Sequence, residues 1–206
     1  MREETSLLAP LDERTVHVCV DMQRLFAQGT DWAMPWFERV LPNVQRIVGA
    51  WPRRTLFTRF VPARAPGDGH GTWRRYYERW PSMTRERLAD GMIDVVPELG
   101  ELAPAAPIVD KAVYSPWLTG RLDALLRDRS ADTVVITGGE TDVCVLATVL
   151  GAVDHGYRVV IVTDALCSSS DETHDAMMTL YHNRYSQQVE AATTEQVLEG
   201  WLPKQP

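Results

Sequence analysis

Residues 134–148, VVITGGETDVCVLAT, gather several groups that could do chemistry together. An apolar run ends at Gly138-Gly139, Glu140-Thr141-Asp142 follow, and Cys144 comes within one helical turn. A thiol in the first turn of a helix lies near unsatisfied N–H groups and the positive end of the helix dipole, and both favour thiolate. Two other segments deliver complementary groups: TVHVCV (15–20) leads into Asp21, and APIVD (106–110) leads into Lys111. A carboxylate can take the thiol proton and later give it to a leaving group, and an ammonium stabilises the charged forms of both. The glycines permit close backbone approach, and the N–H groups of Glu140 and Cys144 can hold a developing oxyanion. Each residue alone has a plainer role: a core cysteine, a turn aspartate, a solvated lysine, a glycine turn. Their joint arrival is what points to nucleophilic attack on a carbonyl carbon.

The elements that must position these groups alternate. Compact, β-rich runs fall at 15–20, 54–60, 106–110, 132–137, 158–164 and 187–192, and near-continuous apolar character suits strands covered on both faces. Helical periodicity occupies 33–50, 117–127, 142–155 and 171–184, with Leu118, Leu122, Leu125 and Leu126 on one stripe of the second. Ser169 and Glu172 have capping-box spacing at the start of the last. Such alternation predicts βαβ units, a parallel sheet with helices on both faces, and ligands at the carboxyl ends of the strands. Asp21, Lys111 and Glu140–Cys144 all fall at that edge.

Residues 61–101 interrupt the rhythm with a long Pro- and Gly-containing segment carrying Trp73, Tyr76, Tyr77 and Trp80. Aromatic content argues against disorder. The segment is expected to be either a surface excursion or subunit contact, or a loop covering substrate.

At 206 residues the chain is expected to form a single domain, 1–206, with 61–101 as a long loop or insertion. The net charge of −7 argues against nucleic acid or an acidic membrane surface as partner. No apolar run has membrane-spanning length, and the charged start MREETSLLAPLDERT does not have the form of a signal peptide. Cys19, Cys144 and Cys167 lack framework spacing, which fits a reducing, cytoplasmic setting. Cys19 is expected in the core, Asp164 in a turn and His174 as a structural hydrogen bonder; Cys167 has no role assigned.

From VCVDMQRLF (18–26) to VEAATTEQVLEGW (189–201), the chain resembles the isochorismatase-like cysteine hydrolases. The most specific segment is 134–170, with its Gly-x-x-Thr-Asp-x-Cys-Val pattern followed by helix, Gly, strand and Asp-Ala; DKAVYSPWLTGRLDALL (110–126) is similar to the segment that carries the family's lysine. The resemblance implies a three-layer α/β/α sandwich with a six-stranded parallel sheet, a catalytic triad of Asp21, Lys111 and Cys144, and an oxyanion hole from the backbone of Glu140 and Cys144. It also implies a cis peptide between Gly139 and Glu140, and a homo-oligomer, dimer or tetramer. Nicotinamidases of the family bind a divalent metal through an Asp-x-His pair and another His. Asp68-Gly69-His70 has the spacing but lies further along and lacks an evident third ligand, so neither a metal nor another cofactor is expected.

The expected activity is hydrolysis of a small amide, ureido or carbamoyl C–N bond through a thioester, the partner being a small molecule. Phe26, Arg59, Trp73, Trp80 and Tyr114 are candidates for the substrate pocket, with Arg59 able to pair a carboxylate bidentately. The alternatives are a catalytically idle binding or assembly protein on the same fold, and vinyl ether hydrolysis of the isochorismatase type, which proceeds without the nucleophilic cysteine. A nucleotide-binding domain is disfavoured, because DMQRLFAQG after the first strand lacks a Gly-rich phosphate cradle.

Overall fold

The computed structural model describes residues 7–202, so the first residues of the charged N-terminal stretch lie outside it. Six strands run in the chain: β1 (Thr15–Val20), β2 (Thr55–Phe60), β3 (Ile108–Lys111), β4 (Thr133–Gly139), β5 (Arg158–Cys167) and β6 (Val189–Ala192). They form one sheet in the order β3-β2-β1-β4-β5-β6, with every neighbouring pair parallel. The α-helices are α1 (Arg24–Ala27), α2 (Phe37–Ala50), α3 (Trp73–Arg79), α4 (Pro97–Gly100), α5 (Arg121–Asp128), α6 (Cys144–Asp154), α7 (Asp171–Asn183) and α8 (Thr194–Gly200). Alternation along β1 sends Val16, Val18 and Val20 into a core shared with α5, α6 and α7. The opposite face of the sheet packs against α2, α8 and the 61–101 segment. This is the expected three-layer α/β/α arrangement around a six-stranded parallel sheet.

Several boundaries differ from the sequence reading. Leu118 precedes α5 and is 76% exposed, whereas Leu122 and Leu126 are fully buried. The Ser169–Glu172 capping box does not form: Ser170 caps α7 by accepting from the Thr173 N–H, and a complete box closes α8 through Thr193 and Gln196. Asp164 is inside β5 rather than in a turn, its Oδ1 accepting from the N–H and the hydroxyl of Thr194, 2.7 and 2.8 Å away. Here it caps the start of α8, a use for aspartate at a helix N-terminus that local sequence does not reveal.

Residues 61–101 are the largest departure. They hold α3, α4 and short 3-10 turns, and Tyr77 and Met83 are buried in the core. Trp73, Tyr76, Tyr77 and Trp80 follow i, i+3, i+4, i+7 spacing, the signature of an amphipathic helix. The surrounding Pro and Gly residues obscured it.

One buried titratable group belongs to the scaffold. His17, in the centre of the sheet, bridges Thr55 Oγ1 at 3.2 Å and Thr137 Oγ1 at 2.8 Å. Complete burial pushes its pKa down to about 3. The folded-state value is depressed below the ordinary imidazole value, so His17 contributes stability above about pH 6.5 that is lost as pH falls. Urea unfolding is expected to show about 2 kcal/mol less stability from this residue at pH 5 than at pH 7.5. His17→Gln should flatten that dependence; an unchanged slope would remove His17 as its source.

Candidate functional site

The strand order reverses direction between β1 and β4, the crevice where open α/β sheets receive ligands. Asp21 follows β1 directly, with a φ of 51°, the left-handed region that aspartate tolerates better than most side chains. Its N–H donates to Thr58 Oγ1 at 3.2 Å, and the Thr58 hydroxyl donates back to Asp21 Oδ1 at 2.5 Å. Lys111, the last residue of β3, donates from Nζ to Asp21 Oδ2 at 2.6 Å. The same ammonium lies 3.3 Å from Cys144 Sγ and 3.3 Å from the Val113 carbonyl. Carboxylate, ammonium and sulfur therefore meet from three strands. Asp21 and Lys111 are almost wholly buried, while Cys144 borders a cavity of about 270 Å³.

Electrostatics set the resting protonation. Burial pushes the Cys144 thiol well above its ordinary range, Asp21 pushes it further, and Lys111 opposes both. Burial and Asp21 thus favour the thiol, while Lys111 favours thiolate, as the helix-terminus argument does. Burial works against the Lys111 ammonium, but Asp21 and Cys144 outweigh it and raise its pKa. A sulfur beside a buried carboxylate that is paired with an ammonium is an arrangement suited to moving a proton off the sulfur.

The turn between β4 and α6 is held from several sides. Gly138 has a φ of 105°, and a Cβ there would come within 2.0 Å of the Val20 carbonyl oxygen, so β1 and β4 approach here as only glycine allows. The Gly139–Glu140 peptide is cis. Cys167 contributes through its backbone: its carbonyl accepts from the Thr141 N–H at 2.9 Å and the Thr141 hydroxyl at 3.1 Å. His174 Nδ1 pairs with the same hydroxyl at 2.9 Å, the structural role expected of it. The N–H groups of Val143 and Val145 both bond the Glu140 carbonyl, and Cys144 opens α6. Cys19 is fully buried, and its thiol is pushed up to about 12 by burial above all.

Of the pocket candidates, Phe26, Trp80 and Tyr114 line the Cys144 cavity. Arg59 does not. It is bound bidentately to Asp110 at 2.7 and 2.9 Å and to Asp94 at 3.0 Å, so no free guanidinium remains for a substrate carboxylate. Trp73 lines two neighbouring cavities instead, its ring centroid 4.8 Å from that of Tyr114. Asp68 and His70 border one of these, and Asp68 is paired with Arg64 at 3.1 Å. Sequence reasoning missed Trp32, Phe60, Tyr76 and the Glu140 side chain in the lining, and Thr58 as the support of Asp21. It also missed buried Gln23, whose amide bridges the Phe60 backbone and the Ile93 carbonyl, tying the end of β1 to β2 and to the 61–101 segment. Tyr76 was within reach of the helical spacing noted above. Trp32 and Gln23 carried no pattern signal.

Known proteins fit this picture. A family model described as an isochorismatase domain matches residues 15–196. The isochorismatase family protein YwoC of Bacillus subtilis is 28% identical over 161 residues, covering 78% of this chain and 82% of that one. The ureidoacrylate amidohydrolase RutB of Methylorubrum extorquens is 28% identical over 179 residues, 74% of this chain and 69% of that one. Among solved structures, a cysteine hydrolase from Pseudomonas syringae pv. phaseolicola superposes with a TM-score of 0.78 over 98% of this chain and 100% of that one; at 23% identity this is a likeness of fold.

Proposed function

This chain belongs to the isochorismatase family, and we propose that it is an amidohydrolase: a cysteine hydrolase that cleaves the C–N bond of a small amide, ureido or carbamoyl compound through a thioester. The observation that carries the reading is the Lys111 ammonium, 2.6 Å from the Asp21 carboxylate and 3.3 Å from the Cys144 sulfur. Asp21 takes the proton from Cys144 Sγ as the sulfur attacks the carbonyl carbon. The N–H groups of Cys144 and Glu140 receive the negative charge that develops on the carbonyl oxygen. Collapse of the tetrahedral adduct breaks the C–N bond, Asp21 hands its proton to the departing nitrogen, and a thioester remains on Cys144. Water, giving a proton to Asp21, attacks the thioester; the C–S bond breaks, the acid is released and the proton returns to sulfur. Lys111 pairs with Asp21 whenever the carboxylate is free and holds it and the sulfur in place.

Three free, buried cysteines support a reducing, cytoplasmic setting, and family resemblance supports a dimer or tetramer. No helix among the described residues is long and apolar enough to cross a membrane.

Ammonia release across a panel of small amides, ureas and carbamoyl compounds tests the activity. Brief iodoacetamide treatment at neutral pH tests the nucleophile. Labelling is expected at Cys144, which borders the cavity, with Cys19 and Cys167, both at 0% exposure, protected until denaturation. Turnover should fall in step with the labelled fraction. A Cys144 that reacts only after unfolding, or a labelled enzyme that keeps its activity, would overturn the proposal.

A further inference from the structure

The rings around Cys144 form a box. Trp32 is its hub, with ring centroids 6.1 Å from Phe26, 5.7 Å from Phe60 and 5.5 Å from Tyr76. Trp80 and Tyr114 complete the aromatic lining. Two carboxylates join it: Glu140, half-buried beside the sulfur, and Asp31, at the exposed rim. No lysine, arginine or histidine is among the lining residues. Nearby cations are paired: Lys111 faces Asp21 and Cys144 and lies 5.0 Å from the Phe60 ring centroid, Arg59 faces Asp110 and Asp94, and Arg79 lies over the Trp80 ring; none of the three is among the lining residues.

An aromatic face presents negative potential, and a cage of such faces holds a methylated ammonium, which forms few hydrogen bonds and sheds its water readily. A carboxylate within such a cage supplies the matching charge. Burial pushes the Glu140 carboxyl up, the Ser169 hydroxyl and N–H oppose this, and Asp142 and Asp21 push it up again; a cation seated beside it would favour its charged form. The chain's net charge of −7 favours approach of a cation as well. An anionic amide, such as the ureidoacrylate in the name of one relative, would meet two carboxylates here and no free counter-charge.

We infer that the substrate is a cationic amide, bearing a quaternary or methylated ammonium that sits in the Phe26–Trp32–Tyr76–Trp80 box beside Glu140 while its carbonyl faces Cys144. The inference rests on the hydrolase reading above and names the substrate class for the same site.

The test uses three probes of similar size: betaine amide, its neutral isostere 3,3-dimethylbutanamide, and anionic succinamate. Calorimetric titration into the full-length Cys144→Ala protein separates binding from chemistry. Betaine amide is expected to bind at least about tenfold more tightly than its isostere, with succinamate the weakest. Glu140→Gln in the same background should shrink that ratio, and Asp31→Asn at the exposed rim should act in the same direction if Glu140→Gln fails to fold. Equal or tighter binding of the neutral isostere, preference for succinamate, or no saturable binding of any probe would overturn the inference. Ammonia release by the wild-type chain keeps the two proposals apart. Selective binding of betaine amide with no turnover of any amide sinks the hydrolase reading alone. Turnover of neutral amides without preference for the cation sinks the charge assignment alone.

Discussion

Replacing Cys144 with alanine is expected to lower ammonia release by a factor on the order of 10⁴ or more, with the fold preserved. Among the groups that line the cavity, the sulfur is the strong nucleophile that lies beside the Asp21–Lys111 pair. Its loss leaves Lys111 bound to Asp21 and to the Val113 carbonyl, so no buried charge is orphaned. Alanine is also a good residue for the first turn of α6. The cost in stability should therefore stay near about 1 kcal/mol, readable by urea unfolding. Turnover within tenfold of wild type, on any amide the unmodified enzyme hydrolyses, would take the thiol out of the mechanism.

The second large effect is expected at the buried ion pair. Asp21 and Lys111 have side chains only 1% exposed. Lys111→Met leaves the Asp21 carboxylate in the interior with no counter-charge, bonded by the neutral Thr58 hydroxyl and Cys144 side chain, and should cost about 3–5 kcal/mol of stability. Turnover should fall with it, because an uncompensated carboxylate takes up a proton and ceases to be a base. Combining Lys111→Met with Asp21→Asn removes both charges and should recover much of the stability, since paired burial gains little over neutral packing. It should recover none of the activity. Urea unfolding and ammonia release on the two single variants and the double variant give a complete cycle. A double variant as unstable as Lys111→Met would show that the pair is not the source of the cost. A catalytically active double variant would remove Asp21 as the base.

Much of this arrangement is legible from local chemistry. Asp21, Lys111 and Cys144 stand at strand or helix ends, and once β1, β3 and β4 are read as parallel strands of one sheet, their carboxyl ends must share an edge. Gly138 is equally direct, since β1 and β4 close to backbone contact there, whereas Gly139 is needed because the Met34 side chain fills the space a Cβ would take. What stays hidden depends on partners far apart in sequence. The Thr58 hydroxyl looks like any strand threonine until β2 is laid beside β1. Arg59 looks like a free cation until Asp94 and Asp110 arrive from two other segments. The protonation of Cys144 cannot be read from its helix position alone, because burial and Asp21 push the thiol up while Lys111 pulls it down. Asp164 looks like a turn because its helix-capping partner, Thr194, is 30 residues away.

The crowding of Asp21 has one more consequence. Thr58 grips one carboxylate oxygen and Lys111 the other, so the group cannot swivel. With one donor already on each oxygen, little of the carboxylate is left to exchange protons. In the proposed mechanism sulfur, departing nitrogen and incoming water use that same carboxylate in turn, so water is activated only after the amine has gone. Any amine slow to leave holds up the queue, and while it stays it can attack the thioester and rebuild the starting amide.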